Sequence, residues 1–274
     1  MLLSRLALIA LLSLFLSGCV SDEKFEEMAE KLASEEIRTE ASRIGSLVLN
    51  KDLDGIKAVF HPDGLNETFD TDVAALWRFV PEEATIDRGL VGLNVFTQGI
   101  GDNGYTNYTF QYQYQFETSW LHMRLVLREE AEQLHLINIH LTPLQGDLRE
   151  IHAFDLAEAS FGQLLMLTAL VLNPIFILVT FVYAFRMRKK LKSPKRWLGF
   201  MLFGLGAIQM NWTTGQVGYQ ILKFGLLGGG FITSSPYAPW VFTIYFPLTA
   251  VLFWIFIKTG RIGLKELHEE TIVT

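Results

Sequence analysis

The sequence predicts an α+β domain, helices first and a curled antiparallel sheet after, followed by an α-helical membrane anchor. Three observations carry that expectation. Apolar residues recur at three- and four-residue spacing over residues 22–50, alternate at a spacing of two over residues 107–128, and run on uncharged beyond residue 160. Charge divides at the same place. Residues 20–160 hold 26 of the 29 acidic residues against 11 basic ones, whereas residues 161–274 hold 3 acidic and 11 basic. An acidic half joined to a basic, apolar half implies two compartments. Neither half is a basic patch suited to neutralising a phosphate backbone, which argues against nucleic acid as a partner.

The first element is residues 1–18. Arg5 is followed by an apolar run, Leu6 to Leu16, broken only by Ser13 and too short to cross a bilayer, as in a signal peptide. It ends in Leu16-Ser17-Gly18-Cys19. This closely resembles the lipobox of bacterial lipoproteins. The resemblance implies a lipidated Cys19, with a palmitate-type acyl anchor, and a mature chain that begins there. Cys19 is the only cysteine, so no disulfide within the chain can form.

Residues 19–143 are expected to form the extracytoplasmic domain. A single long helix is predicted over residues 22–50, with Phe25, Met28, Ala29, Leu32, Ala33, Ile37, Ala41, Ile44 and Val48 on its stripe and Asp22, Glu23, Glu26 and Glu27 toward its N-terminal dipole. Shorter helices are predicted over residues 51–60 and 71–79, separated by the turn cluster His61-Pro62-Asp63-Gly64. Strands follow at 89–97, 107–116, 120–128 and 134–141. In the second, Tyr108, Phe110, Tyr112, Tyr114 and Phe116 share the inner face, and Asn107, Thr109, Gln111, Gln113 and Gln115 the solvent face. This order resembles the cone-shaped fold of nuclear transport factor two and the ketosteroid isomerases, with a cystatin-like or other helix-on-sheet domain as the alternative. The resemblance implies a pocket between sheet and helices, which Tyr108, Tyr112 and Tyr114 would line. It matches no catalytic motif, so no catalytic residue and no cofactor is expected.

The histidines do not assemble a metal site by spacing. His135 and His140 lie five apart in one strand and face opposite ways unless a bulge intervenes. His268 lacks the second histidine of a zinc helix.

After a linker at 144–160, residues 161–257 read as an anchor of about three helices: 161–185, 197–212 and 238–257. Residues 213–236 read as a re-entrant or interfacial segment, with a fourth span as the alternative. Between the first two spans, seven of the eleven residues 186–196 are basic, which predicts a cytoplasmic loop. The tail at 258–274 is expected in the cytoplasm and the acidic domain on the outer, periplasmic face of the inner membrane. The spans carry amides but no charge, which argues against an ion path. Gly204, Gly206 and Ala207 form the expected helix-packing face for a membrane-protein partner or a second copy. The functional expectation is a non-catalytic, multi-pass envelope lipoprotein that binds or assembles with others at the membrane. A small-ligand carrier or a pocket enzyme of isomerase or hydrolase type is the alternative.

Overall fold

In the computed structural model, which describes residues 21–99, 104–131 and 133–260, the chain divides into two compact units. One is built from the described residues up to Ala153 with the segment Thr233–Ala238. The other comprises Phe154–Ile232 and the chain from Pro239 onward. Cys19 lies outside the described residues, as do the signal segment and the tail beyond Gly260.

The first unit begins with two helices rather than one, α1 (Asp22–Leu32) and α2 (Glu35–Leu49). The break has a local cause. Ser34 leaves helical geometry and its hydroxyl accepts from Ile37 N, which caps a new helix whose first turn holds Glu35 and Glu36. The apolar stripe survives the break, burying Phe25 and Ala29 on α1 and Ala41, Ile44 and Val48 on α2. Helix α3 (Leu53–Val59) is capped by Asp52, and α4 (Phe69–Leu76) follows a one-turn 3-10 segment at Pro62–Gly64. Four antiparallel strands then pair in chain order: β1 (Asp87–Gln98), β2 (Tyr105–Gln115), β3 (Trp120–Glu130) and β4 (Gln133–Leu144). The aromatic row of β2 faces Leu121, Met123, Leu125 and Leu127 of β3 across the ladder. Together with Ile44 and Val48 of α2 these residues form one core.

The opposite face of this sheet differs from the expected solvent face. Gln113 is buried, because the one-turn helix α5 (Leu148–Ile151) lies on it and Leu148 N donates to Gln113 Oε1 at 2.8 Å. Ser235 Oγ donates to the carbonyl of Val91, the residue at the β1 register shift. In β4 the register also shifts: Val126 pairs with Asn138 but Leu127 pairs with Leu136, leaving Ile137 as the extra residue. The bulge therefore intervenes between the two histidines of that strand. His135 stands opposite Arg128 and His140 opposite Arg124, so both project to the same face.

The second unit overturns the three-helix anchor. Among the described residues one helix is long and apolar enough to cross a membrane, α6 (Phe161–Arg186). The expected span over 197–212 is a short helix, α7 (Pro194–Met201), followed by strand β5 (Phe203–Asn211). The expected span over 238–257 is strand β8 (Val241–Phe246) followed by helix α8 (Leu248–Lys258), the change falling at Pro247. The expected re-entrant segment holds β6 (Val217–Leu226) and β7 (Gly229–Ile232). All four strands are antiparallel, in the order β6-β5-β8-β7. Leu227 and Gly228, both at positive φ, carry the chain between the two edge strands, so the sheet curls tightly at that end. Hydropathy alone cannot separate an apolar strand from an apolar helix. The Val-Phe-Thr-Ile-Tyr-Phe run of β8 and the glycines of β5 favour extended backbone.

Candidate functional site: an apolar belt around the long helix

Helix α6 opens on a capping box. Ser160 Oγ accepts from Gln163 N, and Gln163 Oε1 accepts from Ser160 N. The same Gln163 side chain donates through Nε2 to the carbonyl of Trp212, where β5 ends. The first half of α6 packs through Met166 and Leu170 on Met210, Trp212 and Phe242 of the curled sheet. The second half packs through Ile177 and Ala184 on Met201 of α7 and on Ala250 and Phe253 of α8.

The two halves meet at Asn173-Pro174. Pro174 removes a backbone donor inside the helix. Asn173 Nδ2 donates to the carbonyls of Gly228 and Tyr245 at 2.6 and 2.7 Å, pinning the helix to the sheet there. Gly228 sits at φ +78, and a Cβ on it would lie 2.7 Å from Ile177 Cδ1 and 2.8 Å from Asn173 Nδ2. Further along, Trp254 Nε1 donates to Thr180 Oγ1 at 2.9 Å. Every polar side chain named here bonds inside the unit, and the surface between them is hydrocarbon.

That surface is large. Only 28% of the most apolar eighteen residues of α6 is buried within the protein. Leu165, Val171, Leu172 and Val179 are each more than half exposed, and β6 adds Tyr219, Ile221, Leu222 and Phe224 at 68–82%. A cavity of ≈ 760 Å³ opens into this belt between α6 and the sheet, lined by Leu172, Asn173, Phe176, Ile208, Ile221 and Phe246 among others.

Gly204, Gly206 and Ala207, expected on a helix, lie instead in β5. Gly206 and Ala207 line the cavity, and Gly206 holds φ +77 at the point where the β5 register shifts. The small side chains there serve strand geometry and not the packing of one helix on another.

In the first unit, Tyr108, Tyr112 and Tyr114 belong to the core, with Tyr114 1% exposed. Burial raises the Tyr108 hydroxyl to about 12, helped by its hydrogen bond to the Glu129 carboxylate at 2.9 Å. Burial raises Tyr112 to about 12 against the opposing pull of Arg88 and Arg38. Burial also raises Tyr114, whose hydroxyl has no partner at hydrogen-bonding geometry, although the Arg88 guanidinium favours its ionised form. These groups stay neutral phenols and none is prepared as an acid or base near pH 7. A smaller cavity of ≈ 260 Å³ lies by the β4 bulge, walled by Phe60, Phe69, Val73 and Ile137 and edged by Asn66, Asp72 and Asn138. Among the described residues no group of three or more His, Cys, Asp or Glu could hold a metal ion.

His122 is a half-buried imidazole on the second face of the sheet. Burial lowers its pKa from 6.5, and His140, Arg124 and His152 lower it further by repulsion. The unfolded chain therefore takes up a proton at this site at higher pH than the folded one. The stability this histidine confers is complete above its ordinary value and is lost as pH falls through 6.5 toward the depressed value. Denaturation midpoints at pH 7.5 and 5.5 should fall further apart for the wild type than for His122→Gln. An equal change in both would place the pH sensitivity elsewhere, with the half-buried His152, whose pKa burial also lowers, the next candidate.

No protein-family model matches this chain, and no curated protein or solved structure with which it was compared matches it either.

Proposed function

We propose that this chain is a membrane-anchored envelope lipoprotein whose acidic α+β unit serves as a binding or assembly component at the outer face of the cytoplasmic membrane, without catalysis of its own. The observation that carries this reading is the exposure of α6. A core helix of a water-soluble protein hides its apolar side chains, whereas this one leaves most of them uncovered. At about 1.5 Å per residue its 26 residues reach roughly 39 Å, more than the ~30 Å hydrocarbon core. The basic run that follows it supports a cytoplasmic position for residues 186–196. The Leu-Ser-Gly-Cys sequence supports lipid on Cys19, and the order of helices and sheet in the first unit supports a cone-type domain. The neutral tyrosines of its core support a binding role over an acid–base enzyme. The small cavity edged by Asn66, Asp72 and Asn138 favours a ligand carrier as the second reading.

The anchor in this reading is one full helix with two strand-helix pairs beside it. α7 and α8 pack beside the second half of α6, and β5 and β8 beside its first half. Reporter fusions at Pro194 and Thr274 should signal from the cytoplasm and a fusion at Ser235 from outside. Metabolic labelling with a tagged fatty acid should mark the wild type and leave Cys19→Ser unmarked. Label on the Cys19→Ser variant, or three fusions reporting from one compartment, would overturn the reading.

A further inference from the structure

Residues 20–160 hold 26 acids against 11 bases, so a cation there has no shortage of carboxylates. Lys31, Arg43, Lys51, Lys57 and Arg149 each have a carboxylate oxygen within 2.7 Å. Arg38 and Arg88 do not. Arg38 approaches Glu30 at 3.9 Å, and its Nε is buried with no hydrogen-bond partner. Arg88 donates to a neutral group, Ser42 Oγ, at 2.6 Å. Register and helix period bring these two side chains to one place. Arg88 pairs with Tyr114 across β1 and β2, which puts it on the inner, helix-facing side of the sheet. Arg38, Ser42 and Gly45 follow one another along α2 at four- and three-residue spacing, so they share one stripe. Gly45 lies against the Tyr114 hydroxyl, since a Cβ there would stand 2.7 Å from Tyr114 Oη. That hydroxyl is buried and has no hydrogen-bond partner. Burial raises the Tyr112 hydroxyl, and the charges that oppose the rise are the Arg88 and Arg38 guanidiniums. Two cations and two phenols thus converge where α2 meets β1 and β2, with the Arg38 Nε and Tyr114 Oη donors unused.

We propose that Arg38 and Arg88 together bind the carboxylate of a small organic acid, over a floor formed by the Tyr112 and Tyr114 hydroxyls. The proposal rests on the binding role given to the first unit above and names the class of its ligand. A carboxylate accepts from a guanidinium at two points and has lone pairs left for hydroxyl donors. It supplies acceptors to Arg38 Nε and to the Tyr114 hydroxyl, groups that are costly to leave unpaired when buried. A single charge is favoured over a phosphate dianion by the acids nearby. Glu30 stands beside Arg38, Glu35 and Glu36 open α2, and Asp87 accepts from the backbone N–H of Arg88 at 2.8 Å. Glu40 is occupied by Arg43. These carboxylates repel a second negative charge while the two guanidiniums still hold the first. A small molecule is favoured over a folded protein surface, because Arg38 is half-buried and both tyrosines are buried.

The test uses the full chain in mild detergent, labelled with nitrogen-15 on arginine, at fixed ionic strength. Acetate, benzoate and inorganic phosphate are titrated separately while the arginine Nε–H signals are followed by NMR. In the wild type the Arg38 and Arg88 signals should move and saturate with acetate and benzoate, and respond more weakly to phosphate. Arg38→Gln and Arg88→Gln, each read on the arginine that remains, should weaken binding by about tenfold or more, the worth of one hydrogen bond to a charged group. Arg38→Lys keeps the charge but removes Nε, so it should weaken binding nearly as much as Arg38→Gln. Arg124→Gln, on the other face of the sheet, should bind as the wild type does. Hydrogen exchange of the β2 amides confirms that each variant keeps its fold. Arginine signals that all move alike, or full binding by Arg38→Lys, would mean general attraction of anions and overturn the site. Phosphate bound as tightly as benzoate overturns the carboxylate as occupant. A wild type whose Arg38 and Arg88 signals stay still overturns the ligand, while fatty-acid labelling and the reporter fusions still decide the membrane reading.

Discussion

Replacing Phe110 with Asp is expected to destabilise the first unit by about 3–5 kcal/mol, the cost of an unpaired charge in a closed core. Phe110 is fully buried at the centre of β2, opposite Leu125 and 6.1 Å from the Tyr112 ring in a stacked arrangement. Tyr112→Asp should cost less, because Arg88 and Arg38 already act on the end of that side chain and would partly compensate a carboxylate. Gln111→Asp, on the opposite face beside Arg124, should change stability by no more than about 0.5 kcal/mol. Tyr114→Phe removes a buried hydroxyl that has no partner, so it should leave stability unchanged or raise it. Denaturation of the full chain in detergent, followed by hydrogen exchange of the β2 and β3 amides, reads all four. Equal losses for Phe110→Asp and Gln111→Asp would mean that the two faces of the sheet are equally buried. That outcome would overturn the separation of an aromatic core from a polar opposite face.

The first unit was legible because its periods are unambiguous. Tyr108 to Phe116 could form a half-buried strand and little else, and the stripe of residues 22–50 could only be helical. What alternation missed were events of one residue. Ser34 ends one helix and begins another, and Ala33-Ser34-Glu35-Glu36 did carry the signal of a cap followed by acids. Ile137, the extra residue of β4, left no mark in the pattern, yet it decides which way His140 points. Gln113 looked like solvent surface because nothing in its strand announces that α5 will cover it.

The second unit was misread for a different reason. Apolar runs of sixteen to twenty residues satisfy the length of a span whether they are coiled or extended. The discriminating residues were Gly204 and Gly206 at a spacing of two, the aromatic and β-branched run before Pro247, and Pro194 poised to start a helix. Read as secondary structure, these residues split each supposed span into a strand and a helix. The amides Gln163 and Asn173 then acquire a purpose that three plain helices would not give them. Strand ends beside α6 leave carbonyls that need donors, and these two side chains supply them.

The largest effect in the second unit is therefore expected where α6 meets the turn at Gly228. Asn173→Leu keeps the volume but withdraws the donor to the Tyr245 carbonyl and one of the two donors to that of Gly228, which also accepts from Tyr245 N. In an apolar surround the loss should cost about 2–4 kcal/mol. Gly228→Val acts on the same point from the other side. It forces a β-branched residue into left-handed backbone, at about 1–3 kcal/mol, and drives its Cβ onto Ile177 and Asn173, adding about 1–3 kcal/mol of overpacking. Because both variants break one junction, the double variant should lose less than the sum of the two. Thermal unfolding of the full chain in mild detergent, with limited proteolysis between β6 and β7, measures both. Gly230→Ala provides the control, since a Cβ there meets open space. If Asn173→Leu melts with the wild type, the two carbonyls are satisfied by water, and the junction lies at the aqueous boundary and not within the hydrocarbon.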